Sequence, residues 1–213
     1  MSDRLVWIDC EMTGLDPVAD ALVEVAALVT DFDLNVLGEG VDLIIRPPDE
    51  ALEQMVPFVR DMHTSSGLLD KLASGTTLQD AERQVVDFVR SHCPEGSRPP
   101  LAGNSVGTDR LFIARDMPEL DALLHYRIVD VSSIKELARH WYPKAYFAAP
   151  DKRGNHRALA DIQESIEELR YYRAAIFTEP PGPSTEQARV LAERFGGSIT
   201  GRPEPEAPGE ETA

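Results

Sequence analysis

Apolar positions along the chain fall into two kinds of run. Residues 5–8 and 22–29 are short and nearly continuous, the pattern of buried strands, and they predict strands over 5–11 and 22–31, with a third over 41–46. The DLN at 33–35 and the GEG at 38–40 supply turn residues between the last two, so the opening reads as an antiparallel meander. Over 76–92 the period changes. Leu78, Ala81, Val85, Phe88 and Val89 recur at helical spacing, with Thr76 and Gln79 in capping-box spacing, and predict a helix. Residues 99–107 read as strand and loop, 108–117 as a helix, 126–133 as a strand, and 132–141 as a helix that Ser133 and Glu136 cap. A long helix follows over 158–176, with Ile162, Ile166, Leu169 and Ile176 on one stripe. The order βββαβαβα predicts an α/β sheet with its functional groups gathered at strand ends. From Thr178 the composition turns rich in Pro and Glu. The expected organisation is a body over 1–177 and a tail over 178–213, mostly disordered, with one short helix over 185–195.

Composition bounds the function. A chain of 213 residues fits one domain with a full core and an appended tail. The opening MSDRLVWIDC has no signal-like apolar segment, and no run of 18 apolar residues occurs, so a cytoplasmic protein without a membrane role is expected. Two cysteines, Cys10 and Cys93, are too few and too far apart for a disulfide framework or a metal knuckle. A net charge of -16 argues against a protein that coats long nucleic acid, because such binding rests on many Lys and Arg contacts. It leaves room for a ligand with few phosphates.

Asp9 and Glu11 stand at the end of the first apolar run, in DCE. Strand side chains alternate faces, so the two acids project together and Cys10 faces the other way. Like charges side by side in a poorly hydrated setting cost on the order of several kcal/mol unless something offsets them. A bound cation is the usual offset; a solvated strand end explains the same pair without one. Asp109, in GNSVGTDRLF, lies where strand and loop pass into a helix, and Asp161, in GNHRALADI, lies in the first turns of the last long helix. Each alone is accounted for by the favourable place of an acid near a helix N-terminus. His156 precedes Asp161 by five positions, which in a regular helix sets the side chains about 140° apart. The RGNH approach lets His156 sit before the helix instead and reach the same site.

Taken together, DCEMTGL, GNSVGTD and NHRALADI resemble the three motifs of the DEDD exonucleases, in the branch that uses histidine. That resemblance implies a ribonuclease H-like mixed sheet flanked by helices. The longer stretches IDCEMTGLD, GNSVGTDR, HYRIVDVSSIKELARHW and ESIEELRYYR are similar to the oligoribonuclease family, over about 5–177. The resemblance implies four metal-ligating acids, Asp9, Glu11, Asp109 and Asp161, holding two divalent ions, Mg²⁺ or Mn²⁺, with His156 as general base. By position it also implies substrate contacts. Leu15 would wedge at the bases, and Phe58 would stack where bacterial relatives place Trp. His63, in MHTSSG, falls on the substrate side. Ser105, Arg127 and Ser132 would hold the 5′ phosphate end, and Tyr126 would reach across the interface of a homodimer.

The activity so implied is 3′-to-5′ hydrolysis of RNA two to five nucleotides long, down to dinucleotides, releasing 5′-nucleoside monophosphates. Paired metals supply the nucleophile and stabilise charge on both sides of the phosphorus, and hard oxygen ligands suit Mg²⁺ or Mn²⁺ over zinc. A short substrate also fits the acidic charge. Three other readings stand beside this one: a general or proofreading 3′-to-5′ exonuclease on longer RNA or DNA, a catalytically silent binding module of the same fold, and a phosphatase with an Asp nucleophile. The last usually wants Asp-x-Asp, from which Glu11 departs.

Overall fold

The structure, a computed structural model, describes residues 3–151 and 157–196. The chain divides into two units, Met1–Ile176 and Phe177–Ala213. In the first, β1 (Arg4–Met12), β2 (Leu22–Asp31) and β3 (Val36–Ile44) form an antiparallel meander. Two parallel strands, β4 (Pro100–Gly103) and β5 (His125–Asp130), extend it on the other side, giving a mixed sheet of order β3-β2-β1-β4-β5 with β1 in the middle. The helices are α1 (Asp49–Gln54), α2 (Pro57–Ser65), α3 (Leu78–His92), α4 (Gly107–Asp116), α5 (Pro118–Leu123), α6 (Val131–Trp141), α7 (Pro143–Phe147) and α8 (Ala158–Ile176), with a 3₁₀ turn over Leu69–Ser74. In the second unit α9 (Thr185–Phe195) is closed by a capping box between Ser184 and Gln187 and has no buried residue among those described.

Strand parity sorts the core into two layers. Val6, Ile8, Cys10 and Met12 pack with Ala81, Val85 and Val89 of α3 and with Phe112 and Ile113 of α4. Leu5 and Trp7 face the other way, against Ala158, Ile162, Ile166 and Leu169 of α8. On β2 the same alternation puts Val25, Ala27 and Val29 in the first layer and Ala26 and Leu28 in the second. Continuing the Leu5 and Trp7 side, Asp9 and Glu11 come out on the α8 face at the C-terminal end of β1.

One buried polar contact ties that second layer. The Trp7 indole N–H donates to Thr30 Oγ at 2.9 Å, and both side chains are fully enclosed. Thr30→Val keeps the shape and removes the acceptor. The expected loss is about 1–3 kcal/mol, the cost of an unpaired buried donor, read from the denaturant midpoint. An unchanged midpoint would show that the indole finds another acceptor.

Several local expectations need correction. The α3 cap is Thr77, which accepts the Asp80 N–H at 3.1 Å, not Thr76 with Gln79. The α6 cap is Asp130, which accepts the Ser132 N–H at 2.9 Å, not Ser133. In both cases several hydroxyl or acidic residues near the helix start can cap, Thr76 and Thr77 for α3 and Asp130, Ser132 and Ser133 for α6. The GEG at 38–40 is part of β3, where Gly38 and Gly40 take φ of +79° and +84° opposite a register shift between Ala27 and Val29. These glycines form a bulge within the strand, and the turn is made by 31–35 alone. Helices α1, α2, α5 and α7 and the 3₁₀ turn lie in segments that the sequence pattern left without an element.

Candidate active site

Three carboxylates meet where the middle strand ends against α8. Asp9 and Glu11 come from β1 and Asp161 from the first turn of α8; each offers an oxygen, and the three oxygens lie within 4.8 Å of one another. Asp109 stands just behind them. It occupies the first turn of α4, is buried, and its Oδ1 accepts the N–H of Cys10 at 2.9 Å, a bond to the residue between Asp9 and Glu11. The fourth acid thus fixes the backbone between the first two. His156 lies outside the described residues.

The electrostatics of this group are those of like charges crowded together and drawn out of water. Burial, and then Asp109, Asp161 and Glu11, push the Asp9 carboxyl up from the usual carboxylate range to about 9. Burial, and then Glu24, Asp161 and Asp109, push Glu11 to about 8, with Arg157 opposing them. Asp109 is pushed by burial to about 6, the Cys10 N–H holding it lower than burial alone would. Convergent, half-buried oxygens that cannot all ionise on their own are what a divalent cation relieves, and all-oxygen donors suit Mg²⁺, Mn²⁺ or Ca²⁺ over softer ions. The residues present fit a bound divalent ion.

The other sequence-picked residues fall into separate groups. Ser105 holds a left-handed φ of +52°, uncommon for a residue with a side chain. Its N–H donates to Asp130 Oδ1 at 3.0 Å and to Ser132 Oγ at 2.6 Å, so Ser105 and Ser132 are brought side by side. Arg127 is three residues back along β5, its guanidinium 5.5 Å from the Tyr126 ring centroid; among the described residues it makes no hydrogen bond to either serine. Tyr126, Leu15 and Phe58 are exposed at 77, 75 and 79 %. His63 is fully buried on α2. Its Nε2–H donates to the Met12 carbonyl at 2.8 Å, and its Nδ1 lies 4.0 Å from Glu11 Oε2.

Sequence reasoning passed over three residues that organise these groups. Asp130 receives Ser105, Ser132 and the first turn of α6 on one oxygen. Its signal was an acid just before a helical run. Asp20 holds the loop that carries Leu15: it accepts the Thr13 hydroxyl at 2.8 Å and the Asp16 N–H at 2.9 Å, and a Cβ on Gly14 would fall 2.3 Å from its Oδ2. Glu24 is a fully buried acid on β2, and its signal was a single charge inside an otherwise apolar strand.

Acids gathered in this way at the end of the middle strand of such a sheet make a group that could hold a divalent cation. The sequence profile of the exonuclease family matches residues 6–169. Among solved structures, a zinc-bound E. coli exonuclease I–ssDNA complex shares the fold, with a TM-score of 0.64 and 15% identity over 83% of this chain and 41% of that one. An exonuclease I from Methylocaldum szegediense gives 0.60 and 22% over 91% and 46%, so the chain spans less than half the length of either. Curated relatives match almost end to end. The oligoribonuclease of Streptomyces griseus is 69% identical over 92% of this chain and 97% of its own, and that of Cutibacterium acnes 58% identical over 92% and 98%. The chain belongs to the oligoribonuclease family of 3′-to-5′ exoribonucleases within the exonucleases.

Proposed function

We propose that this enzyme removes nucleotides from the 3′ end of RNA two to five nucleotides long, down to the dinucleotide, with two Mg²⁺ or Mn²⁺ ions held by Asp9, Glu11 and Asp161 and supported by Asp109. The approach of the first three carboxylates to within 4.8 Å carries the reading. Bound there, the ions supply a water of lowered pKa and neutralise charge on the phosphate and the leaving oxygen. The chain's own residues do the rest. Asp109 keeps the β1 backbone in place through the Cys10 N–H, and His63 stands behind Glu11. On its motif His156 takes the proton from the attacking water, which an imidazole titrating near 6.5 can do at neutral pH.

At the other end of a short substrate, the paired hydroxyls of Ser105 and Ser132 and the cation of Arg127 are suited to a terminal phosphate, while Leu15 and Phe58 offer apolar surface to bases. A site closed at the 5′ end disfavours long chains, and a net charge of -16 gives no extended basic track to hold them. Exposed apolar side chains on β5, α6 and α7, among them Tyr126, Ile128, Leu137, Trp141 and Phe147, support a homodimer that brings Tyr126 to the partner's substrate.

The test is a time course on a 5′-labelled diribonucleotide and a labelled 7-mer, each with Mn²⁺ and with chelator, beside Asp161→Ala. Metal-dependent cleavage that is faster on the dimer and lost in the variant is expected. A surviving dimer with a shortened 7-mer or DNA strand would place the enzyme among exonucleases of longer substrates.

A further inference from the structure

Glu24 is an acid that neither the metal group nor the substrate end accounts for. It is fully buried on β2, and its cross-strand partner in the β1–β2 register is Glu11. Both side chains project to the α8 face. A buried carboxylate persists only when paired. The partner is Arg157, whose Nε and Nη2 both donate to Glu24 Oε1, at 2.9 and 2.7 Å. Glu24 Oε2 faces the Ala158 N–H at 3.4 Å, at the opening of α8, and Asp42 of β3 stands 3.6 Å from Arg157 Nη2. From Arg157 the connection continues through the backbone. Its carbonyl accepts the N–H of Asp161 at 3.0 Å, the first turn of the helix that carries the third acid.

We propose that Glu24 and Arg157 form a clamp that sets the rotation and height of the α8 N-terminus, and so places the Asp161 carboxylate against Asp9 and Glu11. The inference rests on the metal-holding reading of those three acids and adds two positioning residues to it. The geometry gives the reason for such a clamp. A slip of one residue turns a helical side chain by about 100° and lifts it about 1.5 Å, enough to remove Asp161 from the group. Packing of Ile162, Ile166 and Leu169 fixes which face of α8 meets the sheet, but smooth apolar contacts hold axial position less sharply than a charged bond at the helix end. A guanidinium is suited to this because its planar fork donates two bonds in a fixed direction.

A simpler role for Arg157 would be to offset negative charge near Glu11, and the two roles predict opposite signs. Removing a cation beside a metal site strengthens metal binding if charge is all that matters. Removing a positioning residue weakens it, by roughly the 10–100-fold typical of groups that orient ligands.

The experiment measures Mn²⁺ affinity of the full chain by calorimetry for wild type, Arg157→Lys, Arg157→Met, the double variant Glu24→Gln with Arg157→Met, and Asp161→Ala as reference, with thermal melts throughout. The expected result is weaker Mn²⁺ binding in both single Arg157 variants, including the lysine that keeps the charge. Arg157→Met leaves Glu24 buried without its partner and melts lower; the double variant removes that buried charge, recovers the melt, and still binds Mn²⁺ weakly. Wild-type or tighter binding in Arg157→Met or in the double variant would overturn the clamp and leave Arg157 as a counter-charge. If wild type shows no Mn²⁺ binding that Asp161→Ala removes, the metal reading itself has failed and the clamp falls with it.

Discussion

Asp9→Asn is expected to reduce metal-dependent hydrolysis of a diribonucleotide by more than the ~10–100-fold that follows from disturbing an outer partner of a metal ligand, because it removes a ligand oxygen's charge. Asp9 is the acid on which the others converge. Its carboxyl is pushed to about 9 by burial and by Asp109, Asp161 and Glu11, so an anion at that position costs stability, in full only above pH 9. Asparagine keeps the volume and releases that cost. The variant therefore has a paired signature: activity collapses while the metal-free protein, compared at pH 9.5, melts higher than wild type. Initial rates at saturating Mn²⁺ and melts at pH 6 and 9.5 read both halves. Lost activity with a lower melt would instead mark Asp9 as structural.

The same logic explains how the site is divided among elements. Strand ends supply Asp9 and Glu11, whose direction the pleat fixes, and helix openings supply Asp109 and Asp161, where the local dipole favours an anion. Asp9, Glu11 and Asp109 sit on backbone held by the core layers, and α8, which carries Asp161, packs on the second layer through Ile162, Ile166 and Leu169. The groups proposed for the substrate end are built differently. Ser105 is held in its left-handed backbone by Asp130 and Ser132, and Leu15 rides on a loop braced by Asp20 and by Arg115, which donates to the carbonyls of Pro17 and Asp20.

What the sequence made legible follows from the range of the forces involved. β1 and β2 announce themselves as nearly continuous apolar runs because both of their faces are covered, and α3 and α8 because one buried face imposes a helical period. The mixed ribonuclease H-like sheet expected from the motif resemblance agrees with the observed architecture. Asp9 and Glu11 could be paired from strand parity alone. Joining Asp109 and Asp161 to them took the motif resemblance, since no local rule brings together residues about 100 and 150 positions apart. Helices α1, α2, α5 and α7 escaped because they are too short for a period and open on Pro48, Val56, Met117 and Tyr142, none of which caps through its side chain. Glu24 was visible as an odd charge within LVEVAALV. Its partner, 133 residues away, was not.

The second large effect joins pH, metal and stability. In the folded protein Asp9, Glu11 and Asp109 are raised to about 9, 8 and 6, whereas in the unfolded chain they titrate near the ordinary carboxylate value of about 4. Between those limits the folded state binds more protons than the unfolded state, so these groups make stability fall as pH rises from about 4 toward 9, and the loss levels off above that. A divalent ion binds the deprotonated acids and reverses the sign of their contribution, since binding releases the protons that burial had retained. Saturating Mg²⁺ should therefore raise the melting temperature far more at pH 9 than at pH 6. Each pKa unit of linkage corresponds to about 1.4 kcal/mol, and a chain of this size moves about 2–4 °C per kcal/mol, so the Mg²⁺-dependent gap should widen by several degrees across that interval. Asp9→Asn, which has one fewer proton to release, should show a smaller widening. A Mg²⁺ shift that is equal at both pH values would mean that the carboxylates are already ionised in the folded protein, and that something other than the metal balances their charge.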